Sequence, residues 1–177
     1  MELHNPPREA TMTATMKEFT PRQIEVSSRQ LTRLRWRREI DRAHRGGEEP
    51  ADIADRLGGS LKEIETEIRT LENRPNQLVR KPMEVIDEYV VGERSREELI
   101  HTLSTWPHTF GDLGVTPGTH PMSSDAWNRG TWDDVKYAET RGLIDEDAFK
   151  QIARAADLPA AVFPQWVNGS THTKPAA

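Results

Sequence analysis

Cysteine is absent from all 177 residues, so disulfides, thiolate metal sites and a cysteine nucleophile are excluded. Long apolar runs are missing too. No stretch approaches the roughly 20 residues needed to cross a bilayer. The first residues, 1–22, are polar and lack the apolar segment of a secretory signal, so a cytoplasmic location with no membrane partner is expected. Apolar residues are scarce at 34%, against 30% charged, which predicts a lean core beside flexible segments. Catalytic signatures are lacking as well. There is no G-x-S-x-G, no phosphate-binding G-x-x-x-x-G-K-[ST], no H-E-x-x-H, no G-x-G-x-x-G and no calcium loop of D-x-D-x-D-G type. The expectation is a protein without cofactor and without enzymatic activity.

What is present is charge, unevenly placed. Residues 1–81 carry 16 Lys/Arg against 14 Asp/Glu, and residues 82–177 carry 8 against 15. The basic excess is densest between Arg29 and Arg45, with seven arginines facing only Glu39 and Asp41. Opposite signs in the two halves suggest that one half meets an anion. A basic helix docked on an acidic partner module is the alternative.

Punctuation divides the chain into helices. Residues 1–21 mix Pro, Thr, Met and charges without a period and predict a disordered arm. Ser27 or Ser28 can cap a helix that runs to Gly46-Gly47. Pro50–Leu57 fits a short second helix. Ser60 opens a third, with Glu63 at the capping-box position, and it ends near Glu72 before Pro75. Residues 75–82 read as a linker between a 22–74 module and an acidic 83–158 module. Within the latter, helices fit Met83–Val91, Arg96–Ser104 behind Ser95, a segment from Thr131 to Arg141, and one from Asp145 to about Ala156. Trp106–Ser124, rich in Pro and Gly, reads as a long loop. Residues 159–177 read as a mostly disordered tail. No alternation of strand type persists, so the fold class is all-α.

The string Asp52-Ile-Ala-Asp-Arg-Leu-Gly-Gly-Ser-Leu-Lys-Glu-Ile-Glu-Thr-Glu-Ile-Arg-Thr-Leu71 has the features of two helices crossing steeply. Small Ala54 permits close approach. Ile53, Leu57, Ile64, Ile68 and Leu71 supply a shared core, and a glycine between the helices permits positive φ. The string resembles the helix-turn-helix superfamily of bacterial regulators over residues 28–74. The resemblance implies a three-helix unit whose last helix enters the major groove of double-stranded DNA.

Helical periodicity gives a separate reading of the faces. Lys62, Thr66 and Arg69 recur at i, i+4 and i+7, opposite Ile64, Ile68 and Leu71, with Thr70 beside them. These four are the expected base-facing residues, since Lys and Arg suit guanine and a Thr methyl suits thymine. Glu63, Glu65, Glu67 and Glu72 oppose the reading by repelling phosphates. On the first helix, Arg35, Arg38, Arg42 and Arg45 lie opposite Trp36, Ile40 and Ala43, and Trp36 reads as core. With Ser60, these arginines are the expected phosphate-binding set, or else they pair with the acidic half.

The acidic half carries two strings, from Tyr89 to Pro107 and from Gly130 to Asp145. They look like the C-terminal part of small helix-turn-helix proteins of actinobacteria and their phages. Both read as helix-glycine-helix hairpins. Tyr89, Leu99, Leu103, Trp106, Trp132, Val135, Leu143, Ile144, Phe149 and Ile152 can form their core. Glu97 with His101, and nearby His108, His120, Asp112 and Asp125, offer metal-ligating types but at spacings more typical of surface contacts. Asp133 and Asp134, like Asp145, Glu146 and Asp147, sit where helix starts favour acids.

The combined expectation is a sequence-specific DNA-binding protein, a transcriptional regulator or phage-type repressor acting by occupancy. A homodimer suits this mode, because one short helix reads few bases. The alternative is a protein-binding antitoxin-like or immunity-type inhibitor, or a phage-encoded modulator, acting on a protein partner through the acidic module. A structural virion or scaffold role is a third.

Overall fold

A computed structural model describes residues 17–109 and 129–156. Among them are seven α-helices, one short 3-10 turn and no strand. The protein is all-α. The helices are α1 (Pro21–Arg45), α2 (Pro50–Leu57), α3 (Leu61–Asn73), α4 (Pro82–Val90), α5 (Arg96–Ser104), α6 (Trp132–Thr140) and α7 (Glu146–Ala155). The 3-10 turn, Pro75–Leu78, joins α3 to α4.

Helix α1 is longer than the sequence reading allows. It starts at Pro21, not at Ser27 or Ser28. The start is set by Thr20, whose side chain accepts from the Gln23 N–H while the Gln23 side chain accepts from the Thr20 N–H. Pro21 adds a φ already suited to a first turn. Ser27 is inside the helix and buried, its hydroxyl donating 2.7 Å to Asp87 Oδ1. A residue that is a good cap by type has been used as a tertiary contact instead.

Two cores form, and α1 borders both. Ile40 of α1 packs with Ile53 and Ala54 of α2 and Ile64 and Ile68 of α3, flanked by Trp36, Ala43 and Leu57. Full burial of an Ile side chain contributes about 1.5–3 kcal/mol, so these few residues carry the small unit. The larger core joins α4 to α7. It contains all ten residues expected from the sequence, with Trp106 and Leu143 only partly buried at its rim. It also takes Val85, Ile86, Val90, Ala138, Ala153 and Ala156. Phe19, just before α1, meets Tyr89 edge-on at 5.3 Å between ring centroids.

This larger unit is built from two similar hairpins. Each is a helix, a glycine at positive φ (Gly92, Gly142), then a capped helix. Ser95 caps α5 and Asp145 caps α7. Helix α4 lies against α6, and α5 against α7. The turn of the second hairpin is tied to the first by Arg96, which donates to Asp145 at 2.9 and 3.0 Å and to Asp147 at 2.7 Å.

The expected 75–82 linker is instead held in place. Arg37 donates to Gln77 at 2.6 Å and Arg38 donates to the Leu78 carbonyl at 3.0 Å. The middle of α1 packs along α4, with Ser27 bonded to Asp87 and Arg38 to Glu84, so the basic and acidic halves are joined by a helix that belongs to both. The expected disordered arm, as far as residue 16, and the expected tail from residue 159 lie outside the described residues, as does most of the loop Trp106–Ser124.

Candidate nucleic-acid interface

The turn between α2 and α3 begins with a stop signal. Gly58 has φ 73° and its N–H returns to the Ala54 carbonyl at 2.9 Å. A side chain at this position would be strained, which accounts for glycine there. Ser60 then starts α3 with a complete capping box. Its hydroxyl accepts from the Glu63 N–H at 3.3 Å and its N–H donates 2.9 Å to Glu63 Oε2. Those bonds to Ser60 hold the Glu63 carboxyl below its usual range. Ser60 was expected to bind phosphate. Its hydroxyl also donates 2.7 Å to Glu63, so it is engaged in the cap.

Ile64, Ile68 and Leu71 are buried, which turns the other side of α3 outward. Lys62, Thr66 and Arg69 are exposed together on that side, and Thr70 is half-buried beside them. Thr66 donates to the Lys62 carbonyl at 2.7 Å and Thr70 to the Thr66 carbonyl at 2.8 Å. Their hydroxyl protons are therefore occupied, while their oxygens remain acceptors. Asn73 extends the face by one turn and donates 2.8 Å to the Arg69 carbonyl.

The four acids of α3 behave differently from one another. Glu63 belongs to the cap. Glu67 is a partner of Arg37 and is only 14% exposed. Glu72 lies 3.4 Å from His44. Among the described residues, Glu65 is the one α3 carboxylate that no other group engages. Spacing alone could not separate these roles, because Arg37 and His44 reach α3 from another helix.

The arginines of α1 divide in two. Arg35 pairs with Glu93, donating 2.9 Å to Oε1. Arg38 pairs with Glu84 at 2.5 and 2.8 Å. Its guanidinium is held above its ordinary pKa by the hydrogen bond to Glu84. Arg42 and Arg45 project to solvent, with Glu39 and Asp41 of the same helix as partners. The phosphate-binding stripe expected from the sequence is thus not one open surface. The physical reason is Leu31. It lies on the same side of α1 as Ser27, Arg35 and Arg38; that side is buried at Leu31 and Ser27, and the Ser27 bond to Asp87 of α4 turns it, arginines included, toward the acidic half.

Other cations remain open. Among the described residues, Arg22, Arg33, Lys62, Arg69 and Arg74 are exposed and no carboxylate pairs with them. Arg22 and Arg33 were missed because they share the Trp36 side of α1, which reads as core. That face is core only where α2 and α3 cover it. The signal was available in Thr20-Pro21-Arg22-Gln23, which places the helix start early enough for α1 to outrun the three-helix unit.

The metal-ligating types do not converge. Among the described residues no group of three or more His, Asp or Glu is placed to hold an ion. Glu97 and His101 are exposed on α5. His108 stands edge-on to Trp132 at 5.0 Å and bonds the Leu103 carbonyl at 2.8 Å through Nε2. Burial pushes its pKa down, as suits a neutral, half-buried ring. His120, Asp112 and Asp125 lie outside the described residues. Among the described residues no helix is long and apolar enough to cross a membrane. No protein-family model matches the chain, nor does any curated protein or solved structure.

Proposed function

We propose that the α1–α3 unit binds double-stranded DNA, with the outer face of α3 in the major groove. The observation that carries the reading is the state of the charges on α3. Lys62 and Arg69 face solvent without an acidic partner among the described residues, while three of the four acids are engaged elsewhere. Lys62, Thr66, Arg69 and the half-buried Thr70 then face base edges. A good bidentate contact to a base discriminates by about 1–3 kcal/mol, so two basic residues give modest specificity per copy. Two copies on a two-fold site would supply the rest, and occupancy of that site would be the regulatory act.

Phosphate contact in this reading does not use Arg38, whose bonds to buried Glu84 are too costly to exchange. Arg42 and Arg45, 75% and 67% exposed, are able to rearrange, because a pair within one helix whose cation stays in solvent is worth about 1 kcal/mol or less.

The test is fluorescence anisotropy with a random duplex at low and then raised KCl. Binding that weakens steeply with salt is expected. A Lys62→Ala/Arg69→Ala variant, both changes lying on the exposed face, should bind less tightly while unfolding at the same denaturant concentration. Absence of any salt-sensitive binding by the intact chain would end the proposal.

A further inference from the structure

We infer that the overhanging N-terminal half of α1 is a second phosphate-binding element, a basic ridge formed by Arg22, Arg29 and Arg33. The inference rests on the DNA-binding reading and adds a contact to it. Three observations meet here. First, Arg22, Arg29 and Arg33 recur at i, i+7 and i+11, so they share one face of α1. That face continues into Trp36 and Ile40, which pack on α2 and α3. Second, α3 begins beside Trp36, since a Cβ placed on Gly59 would lie 3.6 Å from the Trp36 ring. Arg33 is about one turn before Trp36, so the ridge starts where α3 starts and runs on past it. The base-facing Lys62 belongs to the first turn of α3. Third, the opposite face of this half of α1 is anchored. Ser27 and Leu31 are buried, and Ser27 bonds Asp87 of α4. The backbone beneath the ridge is therefore held in place, which lowers the entropic cost of binding.

The chemistry of the ridge fits a phosphate backbone. Arg22 and Arg33 have no acidic partner among the described residues. Arg29 is paired with Glu25, but their side chains are 74% and 65% exposed, so the pair exchanges readily. From Arg22 to Arg33 the helix rises about 16 Å. That matches about five steps of one DNA strand at ~3.4 Å each. Such a ridge reads no sequence; it fixes register and raises affinity on every duplex.

The experiment uses the full chain and an Arg22→Ala/Arg33→Ala variant. A short random duplex is titrated by anisotropy across KCl from about 50 to about 200 mM. Loss of two phosphate contacts should lower the slope of log K against log salt by about 1.8 and weaken low-salt binding at least tenfold. An Arg154→Ala control, on α7, should leave the slope unchanged. If the intact chain binds with a steep slope and the variant keeps it, the ridge is not a phosphate contact and the inference falls alone. If the intact chain shows no salt-sensitive binding, the DNA reading falls and this falls with it. Competition by poly-glutamate equal to that of duplex at matched charge would assign the ridge to an acidic polypeptide and overturn it as well.

Discussion

Arg38 and Glu84 hold each other through two parallel hydrogen bonds of 2.5 and 2.8 Å, across the boundary between α1 and α4. Glu84 is buried at 8% exposure, and the same guanidinium also caps the Leu78 carbonyl. One arginine thus joins the basic helix, the 3-10 turn and the acidic half. A charge buried in this way depends on its partner. Arg38→Ala would leave Glu84 buried without its counter-charge and should cost about 2–3 kcal/mol. Changing both to apolar residues, Arg38→Met with Glu84→Leu, should recover most of that loss. Urea unfolding of the two variants measures both effects, and equal midpoints for them would contradict this account.

Ser27 and Asp87 make the same boundary sensitive to pH. Burial pushes the Asp87 carboxyl up to about 6, against 3.8 for an ordinary Asp, and the neighbouring Asp134 and Glu84 push the same way. The Ser27 hydroxyl opposes the rise. A group whose pKa is higher in the folded state binds its proton more tightly there. Its contribution to stability is complete below about 4 and is lost as pH climbs through 6. The loss is at most about 1.4 kcal/mol for each pH unit. Asp87→Asn should remove this component, so the gap between wild type and variant should change with pH only across that window. Ser27→Ala should shift the inflection upward. Urea midpoints across a pH series provide the check.

Much of this architecture is legible in the residues, and the exceptions have one cause. Caps, stops and hydrophobic period are local, so α2, α3, α5 and the hairpin glycines fall within a residue or two of where they are expected. The large core is legible for the same reason. What fails is anything decided by a distant partner. Ser27 looks like a cap until Asp87, 60 residues on, claims its hydroxyl. Arg35 and Arg38 look like a phosphate stripe until Glu93 and Glu84 of the acidic half take them up. Glu67 looks like an objection to DNA until Arg37 takes it up. Helical periodicity fixes the face of each residue, and the element packed opposite fixes its role.

The two glycines of the α2–α3 turn should respond differently to the same change. Gly58 stands at φ 73°, a conformation in which a Cβ crowds the backbone at a cost of about 1–2 kcal/mol. Gly59 has no such φ, and an added Cβ would meet Ile64 at 3.5 Å and Trp36 at 3.6 Å, which is ordinary contact. Gly58→Ala should therefore destabilise by about that amount. Gly59→Ala should be near neutral or slightly stabilising through reduced freedom of the unfolded chain. Thermal melts of the two variants distinguish them. A larger loss at Gly59 would mean that the turn is built differently.

Arg96 and Asp145 set the acid limit of the second unit. Asp145 caps α7 through the Ala148 N–H at 2.7 Å and accepts both bonds from Arg96. The hydrogen bonds from Arg96 hold its carboxyl at about 2, below the ordinary 3.8. Here the folded state binds its proton more weakly than the unfolded chain. The stabilisation is complete above about 4 and is lost as pH falls toward 2, the reverse of Asp87. Asp145→Asn keeps an acceptor for the cap but removes the charge, whereas Asp145→Ala removes both. The cap alone is worth about 1 kcal/mol. The alanine variant should therefore be less stable than the asparagine variant by about that much at neutral pH. Both should lose the part of the acid sensitivity that Asp145 supplies, since neither can titrate there. Unfolding followed from neutral pH down to about 2 tests the two statements separately, because the first concerns a backbone bond and the second a charge.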